Sequence, residues 1–218
     1  MSKIIKFGED VEGYNIPVLN EREVRAAAGM LFLLMLIALF LILSKGNFLL
    51  IKYSISLFLT DFIIRVFVSP RFSPTLILGR LIVSNQTPEY VGAKQKKFSW
   101  IIGLVLATTM FVLMVVLNTY SIITGIICLI CLIFLFFESV FGLCLGCKVY
   151  SLIYKEKAQY CPGEVCDLKS RQEIQKTSGA QLFIVLGFVA YIFLMSYFLN
   201  SNFSSKPHDL FDTEMLAK

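Results

Sequence analysis

Residues 26–43 read AAAGMLFLLMLIALFLIL and contain no charged side chain. A helix needs about 20 predominantly apolar residues to cross the hydrocarbon core of a bilayer, so a stretch of this length is a candidate span. The polar segment before it, 1–25, shows no short apolar core with a small-residue cleavage site, as a secretory signal sequence would. We therefore interpret 26–43 as an uncleaved first membrane span.

Four further stretches are also predominantly apolar, and they occupy residues 48–68, 100–117, 122–141 and 180–199. Of the 218 residues, 57% are hydrophobic and 16% are charged, and the mean hydropathy is +0.75. Soluble domains carry about 25% charged residues, because polar groups must cover their surfaces. The sequence therefore predicts an all-α fold, a polytopic transmembrane helical bundle of about five spans whose solvent is the lipid bilayer.

The predicted spans divide the chain into five segments. An N-terminal segment covers 1–25, and a membrane domain of four spans covers 26–153. A cysteine-containing loop at 154–178 leads to a fifth transmembrane helix at 179–199, and a polar tail covers 200–218. Pro70, Pro74 and Pro88 predict an irregular or re-entrant connector between the second and third spans.

Lys and Arg are distributed unevenly between the two sides of the predicted bundle. Segments 1–25, 69–98 and 148–177 carry four, five and six of them and share one side, whereas the other side has three. Short loops that remain in the cytoplasm are enriched in Lys and Arg, so the N-terminus and the cysteine loop are predicted to be cytoplasmic. A net charge of +5 spread in this way does not resemble a nucleic-acid surface, and no nucleic-acid partner is expected.

Four charged residues fall within the predicted spans, namely Lys52, Asp61, Arg65 and Glu138, and the last three form a candidate group. Asp61 and Arg65 are four residues apart, so they share a helix face and can pair. Glu138, near the cytoplasmic end of the fourth span, is a candidate third member. Charged groups inside a membrane usually face the bundle interior or a cavity. The three residues therefore predict either a structural lock or a polar pocket for transport.

All six cysteines lie between positions 128 and 166. Cys128 and Cys131 fall in the middle of the fourth span, where cysteine behaves as a small apolar side chain, and we interpret them as packing residues. Cys144 and Cys147 follow that span at the cytoplasmic boundary and precede Lys148. A neighbouring cation favours the thiolate, which is the reactive form, so this pair is the candidate catalytic site.

A second close pair, Cys161 and Cys166, lies in the loop. Cys161 is followed directly by Pro-Gly, which is a turn motif. Together with Cys144 and Cys147 it gives the spacing Cys-x2-Cys-x13-Cys-x4-Cys. This spacing suits a metal site with four thiolate ligands, for zinc or an iron–sulfur centre. It also suits two dithiols that exchange electrons by thiol–disulfide exchange. The third interpretation is that Cys144 and Cys147 only pack at the helix end, and that Cys161 and Cys166 have no role.

Hydrolytic chemistry is not indicated by the sequence. The one histidine, His208, lies on the opposite side of the predicted membrane from Cys144, where it cannot act as the base for that thiol. The sequence contains no nucleotide-binding loop, nucleophile elbow or zinc-protease helix. If the protein is an enzyme, its cysteines favour a thiol–disulfide oxidoreductase-like activity.

Three motifs carry a resemblance to a known family. They are DFIIR at 61–65 with SPRFSP at 69–74, GAKQKKF at 92–98, and ESVFGLCLGCKVY at 138–150. Over about residues 18–153, the chain resembles the bacterial membrane family named domain of unknown function 4395. The resemblance implies a four-helix unit in the bacterial cytoplasmic (inner) membrane. It also implies thiol redox or sulfur handling through Cys144 and Cys147, beside a thioredoxin-like or other membrane protein partner.

Three hypotheses for the function follow. The first is a thiol–disulfide redox or sulfur relay protein that uses Cys144 and Cys147. The second is a scaffold subunit in which four cysteines hold zinc. The third is a small transporter or channel subunit that uses Asp61, Arg65 and Glu138.

Overall fold

The computed structural model describes residues 7–146, 149, 153, 174 and 176–209. Within these residues the chain forms an all-α bundle, as predicted, with two short pairs of strands at its ends. The helices are α1 (Glu21–Lys45), α2 (Leu49–Ile63), α3 (Pro74–Ile82), α4 (Ala93–Phe111), α5 (Ile122–Phe136) and α6 (Gly179–Ser204). Single π-helical turns extend α2, α4 and α5 over Ile64–Val68, Val112–Val116 and Phe137–Phe141, respectively.

Four helices in the described part of the chain are long and apolar enough to cross a membrane. Two of them are α1 and α6. The other two are α4 and α5, each taken together with its π-helical turn. The remaining predicted span, 48–68, is formed by α2 and its π-helical turn, and it contains Lys52, Asp61 and Arg65. The length and composition of these helices identify the chain as a multi-pass membrane protein.

The boundaries of α1 follow from its capping residues. Asn20 accepts a hydrogen bond from the backbone N–H of Arg22 at 3.2 Å, and its side-chain amide donates to Glu23 at 3.0 Å. Helix N-termini favour such residues because the first backbone N–H groups have no partner within the helix. Gly46 ends the helix in the left-handed conformation, with φ of 61°, and its N–H donates to the carbonyl of Ile42.

The strands fix which helix ends lie together. β1 (Val18–Asn20) pairs antiparallel with β2 (Tyr90–Gly92), and these strands directly precede α1 and α4. The N-termini of α1 and α4 therefore lie at one end of the bundle, which we call the basic end. β3 (Thr119–Tyr120) pairs in parallel with β4 (His208–Asp209) at the opposite end.

A buried lysine joins the connections at the opposite end. Lys52 donates from Nζ to Oδ1 of Asn118 at 2.7 Å and to the carbonyl of Ser205 at 2.6 Å. Asn118 adopts a positive φ of 52°, and its carbonyl accepts from the N–H of His208. The turn between α4 and α5 is thereby fastened to the end of α6.

The connector between α2 and α4 is more regular than its prolines predict, because it contains α3. Pro74 occupies the first turn of this helix, where a missing N–H costs nothing, and Ser73 caps it by accepting from the N–H of Leu76. The helix lies directly on α1. A Cβ atom built on Gly79 would come within 2.6 Å of the carbonyl oxygen of Glu23.

We expect Gly79→Ala to lower the free energy of unfolding by about 1–3 kcal/mol, because the new methyl group must push α3 away from the α1 backbone. Gly187→Ala is the matched control, since nothing lies within 4 Å of the Cβ position in that part of α6. Thermal unfolding in detergent measures both. Equal stability of the two variants would contradict the close packing of α1 and α3.

α6 contains the predicted fifth span, 180–199, and contacts the bundle through α3 and α2. Most of its apolar side chains point outward, including Phe183, Phe193 and Tyr197, which are 74%, 71% and 83% exposed. Such a helix is stable only where lipid covers its surface.

Candidate functional site

A saturated ion pair lies at the inner surface of α2. Nε of Arg65 is 2.7 Å from Oδ2 of Asp61, and both residues are almost completely buried. The same carboxylate accepts from the hydroxyls of Ser73 and Thr75 at 2.7 Å each, and from the N–H of Thr75 at 3.1 Å. A carboxylate has about four acceptor positions, so these partners fill it.

The guanidinium of Arg65 is enclosed as well. Nη2 donates to the hydroxyl of Thr75 at 2.5 Å, and the group lies 4.7 Å from the ring centre of Phe62 and 5.1 Å from that of Trp100. Ser73, which caps α3, thus also binds the Asp61–Arg65 pair. The pair therefore holds the start of α3 against α2, and the hydrogen bonds explain why DFIIR and SPRFSP occur together.

Lys96 forms a second buried charge cluster. Its Nζ lies 2.7 Å from Oε2 of Glu21 and also contacts Glu138. Lys96 and Glu21 are each 1% exposed in their side chains, and Glu138 is 13% exposed. The cluster joins α1, α4 and the π-helical turn after α5. Glu138 takes its ion partner here, and the described residues show no ion pair between Glu138 and Arg65.

A pocket lies between α1, α2, α4 and α5 and connects these polar groups to the core. Its empty volume is about 500 Å³, including the open mouth. Arg65, Ser99 and Glu138 line it alongside aromatic residues such as Phe58 and Trp100. The pocket thus combines an apolar wall with a few polar groups.

A third cluster docks α6 onto the rest of the bundle. Arg80 on α3 lies 3.1 Å from Glu23 and 3.5 Å from the side-chain oxygen of Gln181. Gln181 is fully buried and donates to the carbonyl of Arg71 at 3.0 Å. Burial raises the pKa of Tyr90 on neighbouring β2, so this phenol stays neutral and adds no charge to the cluster.

The cysteines are described only in part. Cys128 and Cys131 face inward from α5, are 5% and 8% exposed, and line a small apolar cavity beside Met35 and Met110. Cys144 follows Gly142, whose positive φ of 65° ends the π-helical turn at the basic end, and it is 8% exposed. Its predicted partners Cys147, Cys161 and Cys166 lie outside the described residues.

The segment that contains Cys144 packs against α4. A Cβ atom on Gly146 would lie 2.6 Å from the Cβ of Ser99, so only glycine fits at this approach. Ser99 also lines the pocket between the four helices. Gly146 therefore lies beside a residue that lines that pocket.

Three of the four cysteines in the metal hypothesis, Cys147, Cys161 and Cys166, lie outside the described residues. Among residues 7–146, 149, 153, 174 and 176–209, no group of three or more His, Cys, Asp or Glu side chains is arranged to hold a metal ion. The zinc or iron–sulfur site of four cysteines stays a prediction. His208 is at the opposite end of the bundle from Cys144, because β4 pairs with the strand before α5.

Sequence reasoning missed the partners of Glu138. Glu21 and Lys96 were assigned to polar segments outside the spans, but α4 begins at Ala93, seven residues before the predicted third span. The GAKQKKF motif contains three lysines, and spacing alone does not tell which of them faces inward. Lys94 is exposed and Lys97 is half-buried, whereas Lys96 is buried. A helix continued back through the motif would have placed Lys96 and Trp100 on one face.

Comparison with known proteins agrees with the three motifs. None of the curated proteins and none of the solved structures matches the chain. A family model described as Domain of unknown function (DUF4395) matches residues 19–155, which is more than half of the chain. The match includes the Asp61–Arg65 pair, the Lys96 cluster and Cys144, and it ends before α6. The chain therefore belongs to the DUF4395 family.

Proposed function

We propose that this membrane protein carries out thiol–disulfide redox or sulfur relay chemistry through Cys144 and Cys147. The observation that supports the proposal is the close approach of Gly146 to Ser99, which holds Gly146, two residues after Cys144, against α4. A reactive thiol needs a fixed position, and this contact provides one for Cys144, whose residue is 8% exposed.

The proposed setting is the bacterial cytoplasmic membrane, with the basic end facing the cytoplasm. The distribution of Lys and Arg supports this orientation, because the segments at the basic end carry most of them. The cytoplasm is reducing, so a disulfide there is usually transient and catalytic. This favours a cycling dithiol over a permanent structural disulfide.

The proposed reaction is a two-electron exchange with a disulfide of a thioredoxin-like protein. The Cys144 thiolate attacks one sulfur of the partner disulfide, which forms a mixed disulfide and releases the other partner sulfur as a thiolate. The Cys147 thiolate, after giving its proton to water, attacks Cys144 Sγ and releases the second partner thiolate, which takes up a proton. The membrane protein loses two electrons and the partner gains them. In the reverse direction, the partner dithiol reduces the Cys144–Cys147 disulfide.

Mass-spectrometric thiol trapping tests this proposal. The intact protein, purified without oxygen, is treated with oxidised glutathione and then with reduced dithiothreitol, and its free thiols are alkylated after each step. We expect the oxidant to remove two thiols reversibly, with a disulfide between Cys144 and Cys147. Cys144→Ser or Cys147→Ser should abolish the change.

The matched control is the pair Cys128→Ala and Cys131→Ala, which has the same spacing but lies in the core. This variant should form the disulfide as the wild type does. Thiols at Cys144 and Cys147 that remain alkylatable after the oxidant would contradict the proposal. Zinc or iron bound in stoichiometric amounts to the purified protein, with both thiols protected, would favour the scaffold hypothesis instead.

The transport hypothesis receives less support from the described contacts. Asp61 and Arg65 bind each other and the start of α3, and no acceptor position of the carboxylate is left for a substrate. Glu138 is shared with Lys96 in the same manner. These charges are better explained as locks between helices.

A further inference from the structure

A polar groove opens at the basic end between α1, the turn after α5 and the connector that follows α3. Its empty volume is about 710 Å³, including the open mouth. We call it the arginine groove. It is lined by Arg22, Arg25, Gly29, Gln86, Glu89 and Ser139. The groove is separate from the pocket between the four helices, since the two share no lining residue.

The two arginines in the groove differ in how many of their guanidinium N–H groups have hydrogen-bond partners. Arg22 donates to Glu89 at 2.5 Å and to Gln86 at 3.0 Å. The guanidinium of Arg25 donates to the carbonyl of Val140 at 3.1 Å, and no carboxylate of the described residues lies within 4 Å of it. Most N–H groups of Arg25 are therefore available to a ligand.

The charge balance of the groove also points to an anion. Arg22 is paired with Glu89, so Arg25 gives the lining residues their net positive charge. The carboxylate that Arg25 influences electrostatically, Glu21, is buried and bound by Lys96, so it does not occupy the donors in the groove. A small oxyanion that accepts from Arg25 would balance this charge.

The surface below the groove is apolar and exposed. Gly29 forms part of the groove wall, and Leu33, Leu36 and Phe40 continue down this side of α1 at three- and four-residue spacing. Leu33 is 56% exposed and Phe40 is 66% exposed. A polar, cationic recess thus leads into an apolar strip that faces the hydrocarbon of the bilayer.

We propose that the arginine groove binds the headgroup of an anionic phospholipid with a single negative charge, as in phosphatidylglycerol. The phosphodiester oxygens accept from Arg25, and an acyl chain lies along Leu33 and Phe40. Glu89 and Ser139, which also line the groove, lie beside the glycerol of the headgroup. Basic recesses at the membrane surface bind such headgroups because their positive charge lies at the same depth in the bilayer as the lipid phosphates.

Native mass spectrometry of the full-length protein in detergent tests the inference. Phosphatidylglycerol and phosphatidylcholine of identical acyl chains are titrated separately, and inorganic phosphate is added as a competitor. We expect the wild type to bind phosphatidylglycerol preferentially, and Arg25→Gln to weaken this binding about fivefold. Lys45→Gln removes the same charge from the other end of α1 and should leave the affinity unchanged.

Arg25→Lys keeps the charge and should bind within about twofold of the wild type, since phosphate also accepts from an ammonium. If Arg25→Gln does not fold, Gly29→Leu serves instead, because its side chain fills the groove without removing a charge. Equal affinity for the two lipids would overturn the inference. So would an unchanged affinity in the variant used, or full displacement of the lipid by millimolar phosphate.

Discussion

Lys96→Met is expected to lower the free energy of unfolding by about 3–5 kcal/mol, because it leaves two carboxylates in a buried site without their cation. Methionine matches the length and flexibility of the lysine stem, so the loss reports the charge rather than a cavity. Glu21 is held 2.7 Å from the ammonium, and Glu138 contacts the same nitrogen. Reversible unfolding in mixed micelles, followed by circular dichroism, measures the effect.

A double-mutant cycle separates the charge from the packing. Adding Glu138→Gln to Lys96→Met removes one of the two uncompensated carboxylates, so we expect it to restore part of the lost stability. Lys97→Met is the matched control, since Lys97 is the next residue on α4 and is only half-buried. It contacts the ring of Phe7 at 5.0 Å, a contribution of about 0.5–1 kcal/mol. Similar losses in the Lys96 and Lys97 variants would show that the cluster is not buried.

Arg65→Leu is the second variant with a large expected effect, a loss of about 3–5 kcal/mol in the free energy of unfolding. The substitution leaves the fully buried carboxylate of Asp61 bound only by Ser73 and Thr75. The same unfolding experiment measures it. Because Ser73 also caps α3, we expect the loss to be accompanied by faster proteolysis of the connector between α2 and α4.

Two comparisons make the Arg65 experiment specific. Asp61→Asn with Arg65→Gln removes both charges and keeps hydrogen-bonding groups, so this double variant should regain at least half of the stability. Arg71→Leu makes the same kind of substitution at an exposed arginine in the adjacent SPRFSP motif, and it should change stability by no more than about 0.5 kcal/mol. A full loss in the double variant would indicate that packing, rather than charge, dominates at this site.

The two buried charge clusters differ in how far the sequence predicts them. Asp61 and Arg65 are close in sequence, so helical periodicity alone brings them together. Lys96 meets residues 75 positions before it and 42 positions after it, and no local rule relates such distant segments. The same holds for Arg80 and Gln181, whose contact joins α6 to the part of the chain that the family model matches.

α3 illustrates a different limit. Three prolines in the connector predict irregular structure, but Pro74 falls at the start of a helix, where proline is favoured. Whether such a short amphipathic segment remains helical depends on the surface it meets, because an isolated helix of nine residues is marginal. Here α3 is helical because Gly79 allows it to pack closely on the α1 backbone and because Ser73 caps its first turn.

The sequence by itself determined that this protein lives in a membrane, since 57% hydrophobic residues in long uncharged stretches leave no soluble alternative. It also determined the approximate spans and the side on which most Lys and Arg lie. Only the tertiary structure decided which charges meet, where the pocket and the arginine groove open, and that Gly146 holds the segment after Cys144 against α4. The physical reason is the distance along the sequence over which each effect acts. Hydrophobicity and helical periodicity act within one segment, whereas a buried ion pair or a close glycine contact depends on how several helices pack.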